Sequence, residues 1–294
     1  MTQEITESKT SSLLVINNTA KSILNKATGF IGKYDFTLNP YRGCQYGCSY
    51  CYATAFSPNQ QMRQNWGKWV IIKENAAELL RKELEKLKTK QLTSPSIYMS
   101  SVTDPYQPIE TKTLLTRSIL EVLLDYQPIL VLQTRSPVIV RDADLLRQFK
   151  TLRINMSIPT FSEAVRRDFE PRSPSIISRL QAMSKLKFLL PYDQDHEIKF
   201  SITVTPLLPS YERDINHCLT KLHDFDRIVI QPFHATKQTS LTASTPKAAI
   251  QLKEKYAWWY NREKDNYLQF KEQLTGLTLS GVEIKEGEEG FRYD

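Results

Sequence analysis

Apolar runs of strand length alternate with segments of helical spacing along most of the chain. Residues 33–38, 96–101, 129–133, 153–158, 199–205 and 227–231 read as strands. Between them, residues 74–92 put Ala76, Leu80, Leu84 and Leu87 on one helical face. Residues 111–126 do the same with Leu115, Ile119, Val122 and Leu123, and residues 141–150, 173–190 and 211–223 complete the helices. Strands separated by helices predict right-handed βαβ units around a parallel sheet. Periodicity alone leaves a barrel and a flat doubly wound sheet equally open. The stretch between the first strand and Trp69 is uneven and polar.

Beyond Gln231 a polar loop runs to Thr245-Pro246, where Thr at the N-cap and Pro at the first helical position open a helix. That helix is expected to reach about Thr275 and to stop at Gly276. It carries Tyr256, Trp258, Trp259, Tyr260, Tyr267 and Phe270 among lysines and arginines. Aromatics interleaved with cations can stack on nucleic-acid bases. Leu252, Tyr256 and Trp259, then Tyr267, Phe270 and Leu274, nevertheless follow helical spacing, which favours packing over the open side of the sheet. The tail from Glu283 to Asp294 is acidic and contains glycines.

Composition fits a soluble globular chain: 294 residues, 40% hydrophobic and 24% charged. No apolar run has the length of a membrane span. Residues 1–10 lack the basic-then-apolar pattern of a signal peptide and read as a polar tail. A net charge of +7 is compatible with a phosphate-bearing partner. The basic run at 81–90 lies at a helix end, where cations offset the helix dipole, so charge alone is weak support for nucleic acid.

The chemistry concentrates in NPYRGCQYGCSYCYA, residues 39–53. Cys44, Cys48 and Cys51 follow the spacing C-x3-C-x2-C, and the remaining cysteine, Cys218, is remote. A closed zinc site needs four ligands, usually as two pairs, and His196, His217, His223 and His234 show no such spacing. A disulfide framework predicts evenly distributed cysteines in a small secreted domain. Three thiolates on one loop fit a [4Fe–4S] cluster with one iron left open. Gly43 and Gly47 let the backbone bend tightly around such a group. A thiol set of this kind, with no export signal, points to the cytoplasm.

Cys44, Cys48, Tyr50 and Cys51 form C-x3-C-x-aromatic-C, which resembles the signature of the radical S-adenosylmethionine (SAM) superfamily. The longer strings NPYRGCQYGCSYCYA and SSVTDPYQPIE resemble the branch that contains the spore photoproduct lyase. The resemblance implies an α/β fold, a partial (β/α)6 TIM-like barrel with a C-terminal helical extension. It divides the chain into a lead-in at 1–32, a barrel core at 33–235 and an extension at 236–294 packed on that core. It implies a [4Fe–4S] cluster on Cys44, Cys48 and Cys51, and SAM on the open iron. SAM contacts are implied for Tyr50, Thr103, Arg135 and Ser157, with Arg135 standing where the lyase has lysine. Tyr52 is read as a core aromatic or a redox phenol, the former favoured.

The implied reaction is reductive cleavage of SAM to a 5′-deoxyadenosyl radical that takes hydrogen from a substrate. A reductant such as flavodoxin or ferredoxin is an implied partner, and nucleic acid a possible substrate. The alternatives are the same chemistry on a peptide or small molecule, or an iron–sulfur protein used only for electron transfer. The lyase has a cysteine hydrogen donor beside its second-strand SAM contact. Here Ser101-Val102-Thr103 supplies no thiol, and Cys218 is the remaining candidate. A second echo, Phe169-Glu170-Pro171-Arg172, leaves open whether its charges pair or face the cavity, and Arg166, Arg167, Arg172 and Arg179 are either a basic rim or solvated helix residues.

Overall fold

A computed structural model describes residues 13–90, 94–191, 193–233, 247–278 and 281–293. In chain order the strands are β1 (Leu14–Asn18), β2 (Leu24–Lys26), β3 (Phe36–Leu38), β4 (Tyr41–Arg42), β5 (Trp69–Lys73), β6 (Ser96–Met99), β7 (Ile129–Thr134), β8 (Thr151–Ser157), β9 (Glu197–Val204), β10 (Arg227–Ile230) and β11 (Glu283–Glu286). The main sheet has the order β11-β10-β9-β8-β7-β6-β3-β2. Its six inner strands are the six expected, all parallel. An antiparallel β2 and a parallel β11 finish its two edges. Helices alternate with these strands, giving the partial barrel that the motif implied.

Strand alternation separates the two faces. Leu130 and Leu132, Leu152, Ile154 and Met156, and Phe200, Ile202 and Val204 pack into the core shared with the helices. Full burial of each stabilises by about 1.5–3 kcal/mol. The expected helix faces join them: Ala76, Leu80 and Leu84, and Leu115, Ile119, Val122 and Leu123, are buried. By register the other face collects Tyr98, Val131, Gln133, Arg153, Asn155, Ser157, Ser201, Thr203 and Arg227. The bore of the barrel is therefore largely polar.

Several local expectations change. The segment 111–126 is two helices, Glu110–Thr113 and Leu115–Leu124, because Leu114 sits between them in a left-handed conformation. Residues 141–150 give only a 3-10 turn and Ala143–Leu146. The uneven stretch before Trp69 contains a short helix, Gln60–Gln64, and runs into β5, which pairs with β1 and β4 in a separate small sheet. The single long helix after 246 is three pieces, Lys247–Lys255, Ala257–Tyr260 and Glu263–Thr278, and Gly276 lies inside the last rather than ending it. Tyr256, Trp259, Phe270 and Leu274 are buried, as their spacing required. Residues 1–10, His234 and the Thr245-Pro246 helix start lie outside the described residues.

The C-terminal tail closes the N-terminal end of the bore. Tyr34, just before β3, donates its hydroxyl to Phe291 O at 2.6 Å. Arg227, the first residue of β10 on the far side of the sheet, donates from Nη1 to Arg292 O at 2.6 Å. Between them Arg153 forks onto Tyr293 O, from Nε at 3.0 Å and Nη2 at 2.7 Å. Arg153 and Arg227 are both buried, and burial pushes the Arg153 guanidinium down to about 10. A chain stopped after Glu286 is expected to lose at least about 3 kcal/mol in urea denaturation, because these buried donors lose their acceptors.

Candidate active site

The cysteine loop leaves β4 at the C-terminal end of the barrel strands and turns on two glycines. Gly43 has φ +83°, and a Cβ there would lie 2.6 Å from the Trp69 ring. Gly47 has φ +61°, and a Cβ there would lie 3.1 Å from Gly67 Cα. Both the left-handed backbone and the close packing exclude a side chain. Gly43→Ala is therefore expected to spread the loop, with bound iron falling to less than about half of wild type by colorimetric assay and stability falling by about 1–3 kcal/mol.

The loop is held from behind by the string after β6, which explains why the two sequence motifs occur together. Gln107 accepts from Gln45 N at 2.9 Å, and Gln45 Oε1 accepts from Ile109 N at 2.5 Å. Tyr46 donates to Tyr106 O at 3.0 Å. Thr103 donates to Gly43 O at 2.7 Å and accepts from Gln107 at 3.1 Å. Asp104 links two strand ends. It accepts from Tyr106 N at 2.9 Å, Thr134 Oγ1 at 2.7 Å and Arg135 N at 2.8 Å, tying the β6 end to the β7 end. Burial raises its carboxyl above the usual range, against the opposing pull of Arg135.

Glu170 is the centre of the charged network. It follows the helix Glu163–Phe169 and is fully buried. One carboxylate oxygen takes the Tyr50 hydroxyl at 2.5 Å and Arg135 Nη1; the other takes Arg179 Nη2 at 2.5 Å. Burial works against its ionisation, but the Arg179 and Arg135 guanidiniums hold the carboxyl below the usual range. Arg135 Nη1 also reaches Cys48 Sγ at 2.9 Å and Tyr50 Oη at 3.0 Å. Strand β7, the Glu163–Phe169 helix and the cysteine loop thus share one ionic knot. The echo at 169–172 was legible, but not the burial of Glu170, since a charge beside proline reads as an exposed turn.

Other residues singled out in the sequence scatter. Ser157 ends β8, buried, with its carbonyl accepting from Arg179 Nη1 at 2.9 Å. The basic-rim and solvated readings both fail for Arg166 and Arg179, which are buried; Arg166 bonds Glu163 and two backbone carbonyls. Arg172 reaches Gly67 O. Tyr52 is not a core residue: it is 43% exposed, with its hydroxyl on Ser101 O. Cys218 is buried on the outer helix Glu212–Leu222, with Lys221, Asp214 and Glu163 as its charged neighbours. None of those belongs to the Glu170 network, so no thiol from Cys218 joins it.

The thiols suit a multinuclear group. Cys44 and Cys48 are buried and Cys51 half-buried, all unpaired. Among the described residues no three His, Cys, Asp or Glu side chains close on one ion, as zinc would need. Burial pushes all three thiols up, Cys48 to about 12, against the opposing pull of Arg135 on Cys48 and Cys51.

A partial barrel of parallel strands thus carries a three-thiol loop at the C-terminal ends of its strands. Comparison with known proteins fixes the family. A model described as Radical SAM superfamily matches residues 38–217, and the chain belongs to that superfamily. Its cofactors are accordingly a [4Fe–4S] cluster and SAM. An uncharacterized protein, MJ0683, of Methanocaldococcus jannaschii is 36% identical over 174 residues, covering 59% of this chain and 61% of the relative. ORF301 of Acidianus two-tailed virus is 29% identical over 182 residues, covering 59% and 56%. The chain thus spans roughly three fifths of the length of these curated relatives. Among solved structures, a variant of spore photoproduct lyase with bound AdoMet and dinucleoside spore photoproduct superposes with a TM-score of 0.60 at 15% identity, over 92% of this chain and 81% of that one. Its fold is the fold of this chain. No helix among the described residues is long and apolar enough to cross a membrane.

Proposed function

We propose that the chain cleaves SAM reductively and uses the resulting 5′-deoxyadenosyl radical to take a hydrogen atom from an organic substrate in the barrel. The observation that carries this reading is the placement of three thiols, two buried and one half-buried, on one tight loop at the mouth of a polar bore. In it, Cys44, Cys48 and Cys51 hold the [4Fe–4S] cluster, which supplies the electron for sulfonium cleavage when bound. Tyr50, Thr103, Arg135 and Ser157 face SAM. Tyr50 and Arg135 are preset by Glu170, and Thr103 by Gly43 O and Gln107. Arg135 beside Cys48 stabilises thiolate charge. A flavodoxin or ferredoxin in the cytoplasm is the proposed electron source.

Nucleic acid is the substrate class favoured by the likeness to a lyase solved with a dinucleoside lesion, and by the net charge of +7. Ser101-Val102-Thr103 offers no thiol hydrogen donor, so lesion repair by the lyase's own route is not part of the proposal. A peptide or small molecule is the second reading, supported by the polar bore. Anaerobic reconstitution with SAM and dithionite is expected to yield 5′-deoxyadenosine; its absence would reduce the chain to an electron-transfer protein. Deuterium-labelled candidate substrates that transfer label into 5′-deoxyadenosine identify the acceptor class, and salt-dependent binding of DNA or RNA separates the first reading from the second.

A further inference from the structure

The outer side of the cysteine loop plays no part in the chemistry above, and it is charged one way. From Phe36 to Lys73 the chain has Arg42, Arg63, Lys68 and Lys73 and not one acidic residue. Arg42, Arg63 and Lys68 are exposed, and an exposed Arg172 joins them from the turn after Glu170. The guanidiniums hold backbone carbonyls instead of carboxylates. Arg42 forks onto Phe56 O, from Nε at 2.9 Å and Nη2 at 2.7 Å. Arg63 Nη2 donates to Ala55 O at 3.0 Å, and Arg172 Nη1 to Gly67 O. The carboxylates closest in sequence are engaged elsewhere: Asp35 on Ser96, Glu74 on Thr19, and Glu170 inside the protein. Among the described residues the positive charge here is therefore uncompensated.

This patch backs directly onto the thiol loop. Arg42 is two residues before Cys44. Ala55 and Phe56 belong to the 3-10 turn Tyr52–Phe56, which follows Cys51. Gly67 packs so close to the loop that a Cβ on it would lie 2.7 Å from Gly47 Cα. Arg135 approaches Cys48 from the end of β7, inside the barrel. The cations stand on the side of β5, whose small sheet is separate from the barrel. Tyr52 and Phe56, both exposed, meet edge to face beside them.

We infer that this surface docks an acidic electron-carrier protein of the flavodoxin kind. What crosses is one electron, lost by the carrier and gained by the cluster, with no bond made or broken. This docking role rests on the proposed reading that the three cysteines hold a cluster that must be reduced. Electron-transfer partners form small, transient, charge-steered complexes, and uncompensated cations beside two exposed rings suit such a contact. Phosphate recognition would ask for guanidinium forks with free donors, whereas Arg42 has its Nε–Nη2 edge on Phe56 O.

The test is calorimetric binding of oxidised flavodoxin to the reconstituted protein at about 20 mM and about 200 mM salt. Wild type is expected to bind at the lower concentration and at least about tenfold more weakly at the higher. Arg63→Gln combined with Lys68→Glu keeps a donor for Ala55 O; it is expected to weaken binding at least about tenfold with iron content unchanged. Lys68 makes no side-chain bond among the described residues, so Lys68→Glu alone, expected to weaken binding about threefold, decides the matter if the pair does not fold. Lys86→Glu with Lys88→Gln, on the helix Ala76–Thr89, changes net charge equally and is expected to leave binding within about twofold of wild type. The flavodoxin-driven rate of 5′-deoxyadenosine formation should follow the binding, while the dithionite-driven rate stays at wild type. Failure of flavodoxin to bind wild type overturns the assignment, as does equal weakening by the two charge-matched pairs. Patch variants that weaken binding of a DNA or RNA oligonucleotide and spare flavodoxin overturn it too. Dithionite-driven 5′-deoxyadenosine formation by wild type tests the broader reading separately.

Discussion

Cys48→Ala is expected to abolish the cluster and, with it, SAM cleavage. Of the three thiols, Cys48 combines burial with a direct contact to Arg135 and a 3.9 Å approach to Ser173. Its loss removes one of three anchors and leaves Arg135 facing an empty corner. Iron and sulfide per chain should drop to background after anaerobic reconstitution. 5′-Deoxyadenosine yield should fall by about a thousandfold or more, as when one member of a cooperating catalytic set is removed. Cys218→Ala, altering the outer helix layer, should retain full iron content. A Cys48→Ala protein with wild-type iron content and SAM turnover would sink the cluster assignment.

Glu170→Ala is expected to be the most destabilising single change outside the hydrophobic core. It strands the fully buried Arg179 without its counter-charge, leaves Arg135 with Asp104 at 4.0 Å, and frees the Tyr50 hydroxyl. Breaking a buried pair in this way costs about 3–5 kcal/mol. Urea denaturation of the apoprotein reads that loss without reference to cofactor. Glu170→Gln keeps the shape but not the charge and should lose less. The same network sets an acid limit. The Glu170 carboxyl is held below its usual range when folded, so its stabilising share is complete above the unfolded carboxylate pKa. It disappears as pH falls through the depressed folded value. The wild-type acid-unfolding midpoint should therefore lie below that of Glu170→Gln.

What the sequence disclosed follows from how local each signal is. Six strands and the buried faces at Ala76–Leu84 and Leu115–Leu123 were legible because apolar spacing reports directly on a core. The thiol loop and its glycines were legible because soft ligands at short spacing have few other uses. Glu170 resisted, since its two guanidinium partners come from 35 positions before it and nine after it. β11 and the tail resisted because a short acidic segment has no periodicity, and its contacts are backbone carbonyls that any residue could supply. Tyr52 misled for the converse reason: an aromatic among cysteines looks like core, yet here it leans on Phe56 at the rim.

The order in which the polypeptide leaves the ribosome gives the stopper at residues 291–293 a further meaning. The six inner strands emerge first, and the segment that ties Tyr34 and Arg153 together across their lower ends emerges after them. Until then Arg153 keeps its bond to Ser201 but lacks the Tyr293 carbonyl that holds Nε and Nη2 in the finished fold. A chain cut upstream of β11 is therefore expected to be digested faster by protease than the full chain, since the tail's carbonyls are what fix these side chains.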